Sequence, residues 1–285
     1  MNHVSAGWGF GSLSDLPLLV AGIVAAIAYM RSARAVSAQH PTQVWRTVNT
    51  WLFMVGLGSA LLVTVGPIGY AAMNRFSMHM VQHIVLMMIA TPLLVMGAPV
   101  LLILRAASPH RRRTWVRILR SKTFAVVTDP VLTWFAFAAV LVGIHFTPTM
   151  SWLMDADPFG RYAEIALYIG VAFAFYYTLL PGNPARNRPP PAFRVLSLFL
   201  MMIPETMTGF FIYSSSTSLF PHFEQSAATI GIDPVADQQL GGALMWSGAM
   251  IIDVAWIAVA VAEWFDSDAR KTRRMDARMD KTTVD

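Results

Sequence analysis

The stretch MHMVQHIVLMMIATPLLVMGAPVLLIL, residues 78–104, contains no Asp, Glu, Lys or Arg. A helix needs only ~20 apolar residues to cross a hydrocarbon core about 30 Å thick. Six further apolar segments accompany this one, and the seven cover residues 16–30, 48–65, 78–104, 131–146, 162–180, 193–213 and 240–265. The sequence therefore predicts an all-α integral membrane protein, a bundle of seven transmembrane helices.

The composition agrees with a membrane protein. Hydrophobic residues make up 55% of the 285 residues, charged residues make up 13%, and the mean hydropathy is +0.52. A soluble fold of this length would expose too much apolar surface. We expect a single polytopic domain with residues 266–285 as a basic cytoplasmic tail. No basic region precedes the first segment and no small-residue cleavage pattern follows it, so a removable signal peptide is not expected.

The basic residues are distributed unevenly along the chain. Of the 21 Lys and Arg residues, 18 lie in alternate gaps between the segments or in the tail, Arg194 borders one of these gaps at the start of the sixth segment, and only Arg75 and Arg161 lie elsewhere. Because cytoplasmic loops retain Lys and Arg, this pattern predicts that the N-terminus is outside and the C-terminus is cytoplasmic. The net charge of +5 is then a topology signal. Anionic lipids are the expected partners of these arginines, and nucleic acid is not.

The chain contains no cysteine, which excludes disulfides and thiolate metal sites. A bound metal would need His, Met or carboxylate ligands. Imidazole together with thioether suits copper better than most metals. The 18 methionines fit a copper site, although Met is also common as filler in apolar helices.

The motif MHMVQH at the start of the third segment holds the strongest candidate ligands. His79 and His83 are four residues apart, so a helix presents both rings on one face, and Met87 continues that stripe. His145, at the end of the fourth segment, is expected at the same outer level. Histidine in a membrane span is costly unless it is satisfied, which makes the group a functional candidate. The alternative is that the rings hydrogen-bond to neighbouring helices or lie in the headgroup layer.

Polar residues elsewhere in the segments are further candidates. Glu205 in the sixth segment and Asp253 in the seventh should be protonated or paired, which suggests an ion, a proton or a polar lock between helices. Asp237 and Gln238, at the start of the seventh segment, could orient the imidazoles. The alternative for these two is a helix cap followed by a packing face.

Four runs together resemble the CtaG family of bacterial cytochrome c oxidase assembly factors, the polytopic type with seven spans. They are FSMHMVQHIVLMMIATPLLVMGAP (76–99), HFTP (145–148), LFPHF (219–223) and DQQLGGALMW (237–246), within a resemblance that covers about residues 48–265. The resemblance implies a plasma-membrane accessory protein that is needed for an active haem-copper oxidase and helps copper reach an oxidase subunit. It places His79 and His83 in the family's histidine motif, and His145 and Asp237 in its other motifs.

The start of the fifth segment departs from the family pattern. Family members often carry histidines there, whereas this chain reads FGRYAEIALYIG (159–170) with Arg161 and Glu164. We therefore expect no metal ligand from this segment. The predicted metal ligands are His79, His83, His145 and Met87 or Met80, with Asp237, Gln238 and Glu205 as their polar surroundings.

The predicted function is assembly of a haem-copper cytochrome c oxidase through transient copper binding, with an oxidase subunit as partner and no catalysis. Phosphate-binding glycine loops, GxSxG elbows and HExxH helices are all missing from the sequence. Two alternatives stay open. A transporter of copper or a small solute would use Glu205 and Asp253 as polar steps across the membrane. A haem protein would use His79 or His83 with His145 as axial ligands.

Overall fold

A computed structural model of the chain describes residues 13–39, 44–156 and 158–282. Across these residues the secondary structure is helical and contains no strand, which confirms the predicted all-α fold. We number the seven long helices α1 to α7, and they comprise α1 Leu13–Gln39, α2 Thr47–Thr64, α3 Phe76–Ala106, α4 Pro130–Phe146, α5 Phe159–Leu179, α6 Pro191–Ser214 and α7 Pro234–Arg270.

Six of these helices, all except α4, are long and apolar enough to cross a membrane alone. The 17-residue α4 meets the same test only together with the short helix Thr149–Asp155, and a bend of 74° separates the two. The described part of the chain thus contains six or seven candidate spans. The predicted number of seven lies at the upper limit, and the predicted orientation of the termini stays a prediction.

Two helices extend well beyond their apolar segments. α1 continues to Gln39, past the boundary at residue 30, and α7 begins at Pro234, ahead of residue 240. The helical backbone of α7 also continues to Thr282, so the predicted tail is helical as far as that residue. The boundaries differ because hydropathy marks the part of a helix that contacts hydrocarbon, whereas polar residues can prolong the same helix into water.

α3 is the central helix, because it packs against α2, α5 and α7, whereas α1 packs mainly on α2 and the second half of α3. One main core fills the space between the helices, with Met80, Phe137 and Tyr168 among its fully buried members. Large apolar side chains on the outer faces are exposed, as a lipid-facing surface requires, and they include Ile23, Leu62, Phe199 and Ile251.

Two π-helical segments interrupt the central helices. They are Val85–Ala90 in α3 and Leu244–Gly248 in α7. A π-turn contains one extra residue, which changes the register of the side chains and leaves a backbone carbonyl free for other partners. One such carbonyl, that of Met88, accepts a hydrogen bond of 2.6 Å from Nε1 of Trp256. This bond links α3 to α7 in the middle of the bundle.

α6 and α7 approach each other closely at two glycines. A Cβ atom on Gly209 would lie 2.7 Å from the backbone nitrogen of Trp246, and one on Gly242 would lie 2.5 Å from that of Tyr213. Small residues allow helix backbones to approach in this way within membranes. The two glycines therefore set the separation of α6 and α7.

Arg161 joins three helix ends at the end of the bundle where α5 begins. Its Nη2 atom lies 2.9 Å from Oδ1 of Asp15 and also donates to the backbone carbonyl of Thr64. Oδ2 of Asp15 accepts from the backbone nitrogen of Gly66 at 2.9 Å. Arg161 is buried and its charge is paired, which explains why it departs from the distribution of the other basic residues.

Candidate metal centre

Two helices bring three ligand-type side chains together at this end of the bundle. His79 and His83 lie one turn apart on α3, and Glu164 lies in the second turn of α5. The Nε2 atoms of His79 and His83 lie 3.2 Å and 3.4 Å from Oε1 of Glu164. One ligand atom of each residue lies within 4.8 Å of the other two, and all three residues are buried. We term this set the histidine–glutamate group.

The spacing of these atoms fits coordination of one metal ion. Nitrogen and oxygen ligands at 2.0–2.2 Å from a tetrahedral ion are separated by roughly 3.3–3.6 Å, close to the two distances above. The Nε2 atoms of His79 and His83 share Oε1 of Glu164 as their polar neighbour, whereas both Nδ1 atoms are buried and find no hydrogen-bond partner among the described residues. Buried polar atoms in native proteins are nearly always satisfied. An ion between the rings and the carboxylate would be bound by the two Nε2 atoms and Oε1 of Glu164.

Tyr168 supports the carboxylate from the next turn of α5. Its hydroxyl donates to Oε1 of Glu164 at 3.1 Å, and its ring centroid lies 4.1 Å from that of His83. A hydrogen bond from outside a metal site commonly fixes the orientation of a ligand. Tyr168 therefore helps to keep the carboxylate of Glu164 oriented toward both histidines.

His145, on α4, borders the histidine–glutamate group without joining it. Its ring centroid lies 5.4 Å from that of His83. Nδ1 of His145 donates to the carbonyl oxygen of Leu141 at 2.6 Å, so the neutral ring has its lone pair on Nε2. That Nε2 atom is buried and unpartnered within the described structure. His145 thus offers an oriented nitrogen next to the group.

A short helix, Pro221–Ile230, covers the group. The ring centroid of Phe223 on this cover helix lies 5.2 Å from that of His79, and Phe220 stacks on Phe76 at 4.3 Å. His79 has no exposed surface as a result. His222 on the same helix faces away from the group, since its Nε2 contacts the backbone carbonyl of Met73 at 3.0 Å.

Two predicted site residues lie next to a cavity. Met87 and Glu205 both line a cavity of about 20 Å³, and His83 borders it as well. Met87 lies one turn after His83 on α3, at the end of the cavity away from the cover helix. Glu205 comes from the middle of α6. The proposed ligand role of Met87 stays a prediction.

Asp237 and Gln238 form hydrogen bonds with groups other than the imidazoles. Asp237 accepts from the hydroxyl of Ser77 at 2.5 Å and from its backbone nitrogen at 3.3 Å. Gln238 accepts from the backbone nitrogen of Leu219 at 2.7 Å. The start of α7 contacts the first turn of α3. The backbone N–H groups of that turn have no partner within their own helix, so they attract the carboxylate of Asp237. Asp237 therefore fixes the turn that presents His79.

Glu164 places a ligand-type side chain on α5, where we expect no metal ligand from the sequence. The absence of histidine from FGRYAEIALYIG led to that expectation, but the carboxylate of this stretch is part of the group. A signal was available in the sequence, because an ionisable residue within an apolar span is a functional candidate by default. Tyr168, one turn later, carries no such signal and emerges only from the fold.

The sequence also matches a known family. The family model of the cytochrome c oxidase caa3 assembly factor (Caa3_CtaG) matches residues 27–267. The chain belongs to this family. The match confirms the resemblance found in the histidine and DQQLGGALMW motifs, and it extends over most of the bundle. The six or seven apolar helices of the described residues indicate a membrane protein.

Mycobacterial proteins are similar to this chain over nearly its whole length. A protein of Mycobacterium leprae, named only as uncharacterised, is 26% identical over 288 residues, which cover 98% of this chain and 42% of the relative. Uncharacterised proteins of Mycobacterium bovis and Mycobacterium tuberculosis are each 28% identical over 293 residues, with the same two shares. The chain thus spans less than half the length of these relatives. No solved structure gives a significant match.

Proposed function

We propose that this assembly factor binds copper transiently at the histidine–glutamate group and supplies it to a subunit of a haem-copper oxidase. Membership of the family supports the assembly role. The observation that carries the metal role is the buried set of two imidazoles and one carboxylate within 4.8 Å. The proposed role is non-catalytic, with copper as cargo.

The donors suit a carrier that must release its ion. Imidazole binds copper well, and a site without thiolate exchanges its metal more readily than a cysteine site. Nε2 of His145 is a fourth candidate donor, because its lone pair is unpartnered and its ring lies 5.4 Å from that of His83. The cover helix separates the ion from water until a partner protein displaces the helix.

The space beside the histidines disfavours haem. The cavity that His83 borders measures about 20 Å³, enough for an ion or one water molecule and far too small for a macrocycle. Copper transport is the second candidate, because the same cavity reaches Glu205 in the middle of α6. Copper uptake into vesicles containing the purified protein would favour transport over delivery.

The test compares oxidase made with different forms of the protein in a strain that lacks the natural copy. We expect the double variant His79→Ala/His83→Ala and the single variant Glu164→Gln to yield oxidase with reduced activity and reduced copper per haem. His222→Ala is the matched control, since it removes an imidazole at the same end of the bundle without touching the group. It should yield normal oxidase.

Copper and haem contents are both measured, by mass spectrometry and visible absorption of the purified oxidase, with the level of the assembly factor checked in the membrane. Full copper loading with the double variant at normal level would refute the proposal. Inactive oxidase with normal copper would also refute it and would indicate a scaffold or a haem-related task instead.

A further inference from the structure

The cavity next to the histidine–glutamate group is lined by an unusual number of thioethers. Met80, Met87 and Met88 come from α3 and Met245 comes from α7, around a volume of about 20 Å³. We term this cavity the methionine chamber. This volume is enough for one water molecule or one ion, because a cavity needs only ~10–15 Å³ to hold a water molecule. An ion fits there and an organic ligand does not.

A buried acid faces the methionine chamber. Glu205 lines it, is 3% exposed, and has an Oε2 atom that finds no hydrogen-bond partner in the described structure. Glu205 lies about 21 Å along α6 from Pro191 and about 14 Å from Ser214, at 1.5 Å per residue. A carboxylate at this depth needs a proton or a cation.

Asp253 on α7 is the neighbour of this acid. Asp253 is also buried, and its Oδ2 atom, like Oε2 of Glu205, finds no hydrogen-bond partner in the described structure. The negative charge of an ionised carboxylate is costly in these apolar surroundings unless a cation lies beside it. A monovalent cation balances that charge, whereas a divalent cation would leave excess positive charge in apolar surroundings.

The backbone directs the methionines to this place. Met87 and Met88 lie in the π-helical segment of α3, and Met245 lies in that of α7. π-turns are rare and occur frequently at functional sites. Methionine side chains that only fill a core do not require π-turns in two contacting helices. A flexible methionine side chain adapts to regular helices.

We propose that the methionine chamber is a second metal site of this protein, selective for Cu(I). The donors are the thioethers of Met80, Met87 and Met245 together with the carboxylate of Glu205, and Asp253 positions that carboxylate. Thioethers favour Cu(I) over harder ions. His83 borders both sites, so an ion moves between them over about one helical turn, ~5.4 Å. The identity of the cargo rests on the proposed function, whereas the existence of the second site does not.

The experiment is a titration of the purified protein in detergent with Cu(I), without oxygen and against a chromogenic Cu(I) chelator. X-ray absorption then identifies the ligands. We expect two Cu(I) ions per chain, one with sulfur neighbours and one with nitrogen and oxygen neighbours. The triple variant Glu205→Gln/Met87→Leu/Met245→Leu should bind one ion and lose the sulfur signal. Met201→Leu is the control, because Met201 is buried on α6 and does not line the chamber.

The outcomes separate this inference from the proposed function. Loss of the nitrogen-bound ion alone in His79→Ala/His83→Ala supports two sites. A single nitrogen-bound ion in the natural protein overturns the methionine site and leaves the proposed function standing. Sulfur-bound copper that persists in the triple variant also overturns it. If the triple variant does not fold, the near-isosteric Glu205→Gln alone decides, since it should weaken the sulfur-bound ion at least tenfold and unchanged affinity contradicts the site.

Discussion

The histidine–glutamate group and the methionine chamber share His83, yet different parts of the bundle build them. The group lies near one end, under a cover helix, and consists of nitrogen and oxygen donors from α3 and α5. The chamber lies deeper and collects thioethers and one carboxyl from α3, α6 and α7. The difference indicates that the first site can exchange its ion at the membrane surface, whereas the second can hold a soft ion away from water.

The two regions also depend on different structural supports. Arg161 fixes the start of α5, three residues before Glu164, through its ion pair with Asp15. Gly209 and Gly242 fix the approach of α6 to α7, which carry Glu205 and Met245 respectively. Changes to one support should therefore affect one site more than the other, and this separation can be tested.

The largest effect is expected for Arg161→Ala. It leaves Asp15 buried without its charged partner, and breaking a buried ion pair costs about 3–5 kcal/mol. We expect the free energy of unfolding in detergent to fall by about that amount and nitrogen-bound copper to weaken, because α5 is no longer fixed against α1 and α2. Unfolding by denaturant and the Cu(I) titration measure the two effects.

The control for this change is Arg75→Ala at the same end of the bundle. Arg75 is exposed, so its removal should change the free energy of unfolding by no more than about 0.5 kcal/mol. Equal weakening of the nitrogen-bound and sulfur-bound ions in Arg161→Ala would contradict the separation of the two supports.

A smaller effect is expected for Gly209→Ala. The added Cβ meets the backbone nitrogen of Trp246 at 2.7 Å, and backbone cannot move aside as a flexible side chain can. Overpacking of this kind costs about 1–3 kcal/mol. We expect sulfur-bound Cu(I) to weaken while the nitrogen-bound ion is retained, as measured by the same titration with X-ray absorption.

Gly170→Ala is the matched control, because a Cβ atom on this helical glycine of α5 meets nothing within 4 Å. It should leave both ions bound and slightly stabilise the helix, by about 0.5–1 kcal/mol. If Gly209→Ala instead weakened only the nitrogen-bound ion, the assignment of α6 and α7 to the methionine chamber would be wrong.

The sequence predicts most of the fold, because apolar segments of sufficient length must become helices in a bilayer. The predictions fail for features that the need to cross the bilayer does not determine. Hydropathy could not locate the end of α1 at Gln39, since the polar extension of a helix follows from packing. The sequence also did not predict the π-helical segment Val85–Ala90, because a π-turn has no local residue signature and depends on contacts with other helices.

The site divides in a similar way. The pairing of His79 with His83 is local and follows from helical spacing alone. The third member of the histidine–glutamate group, Glu164, depends on which face of α5 meets α3, and one sequence does not contain that information. Asp237 illustrates the same limit, since the pattern suggested an imidazole partner and the fold places Ser77 there instead.

The smallest effect is expected for Phe223→Leu on the cover helix. The change keeps an apolar side chain but removes the ring that faces His79 and packs edge-on against Phe76. Such aromatic contacts contribute about 0.5–1.5 kcal/mol, so the cover helix should open more often by up to roughly tenfold. We expect nitrogen-bound copper to pass faster to an added chelator by the same factor, in a stopped-flow measurement.

The release rate of the sulfur-bound ion in Phe223→Leu shows whether the two sites share one exit. An acceleration equal to that of the nitrogen-bound ion would mean that the methionine chamber empties through the histidine–glutamate group and its cover. Faster release of the nitrogen-bound ion alone would mean that the chamber has another exit. Ile230→Leu, an exposed change on the same helix, is the control and should alter neither rate. Unchanged release of both ions in Phe223→Leu would contradict the covering role of Phe223, because a ring that limits access to His79 cannot be removed without effect on the rate.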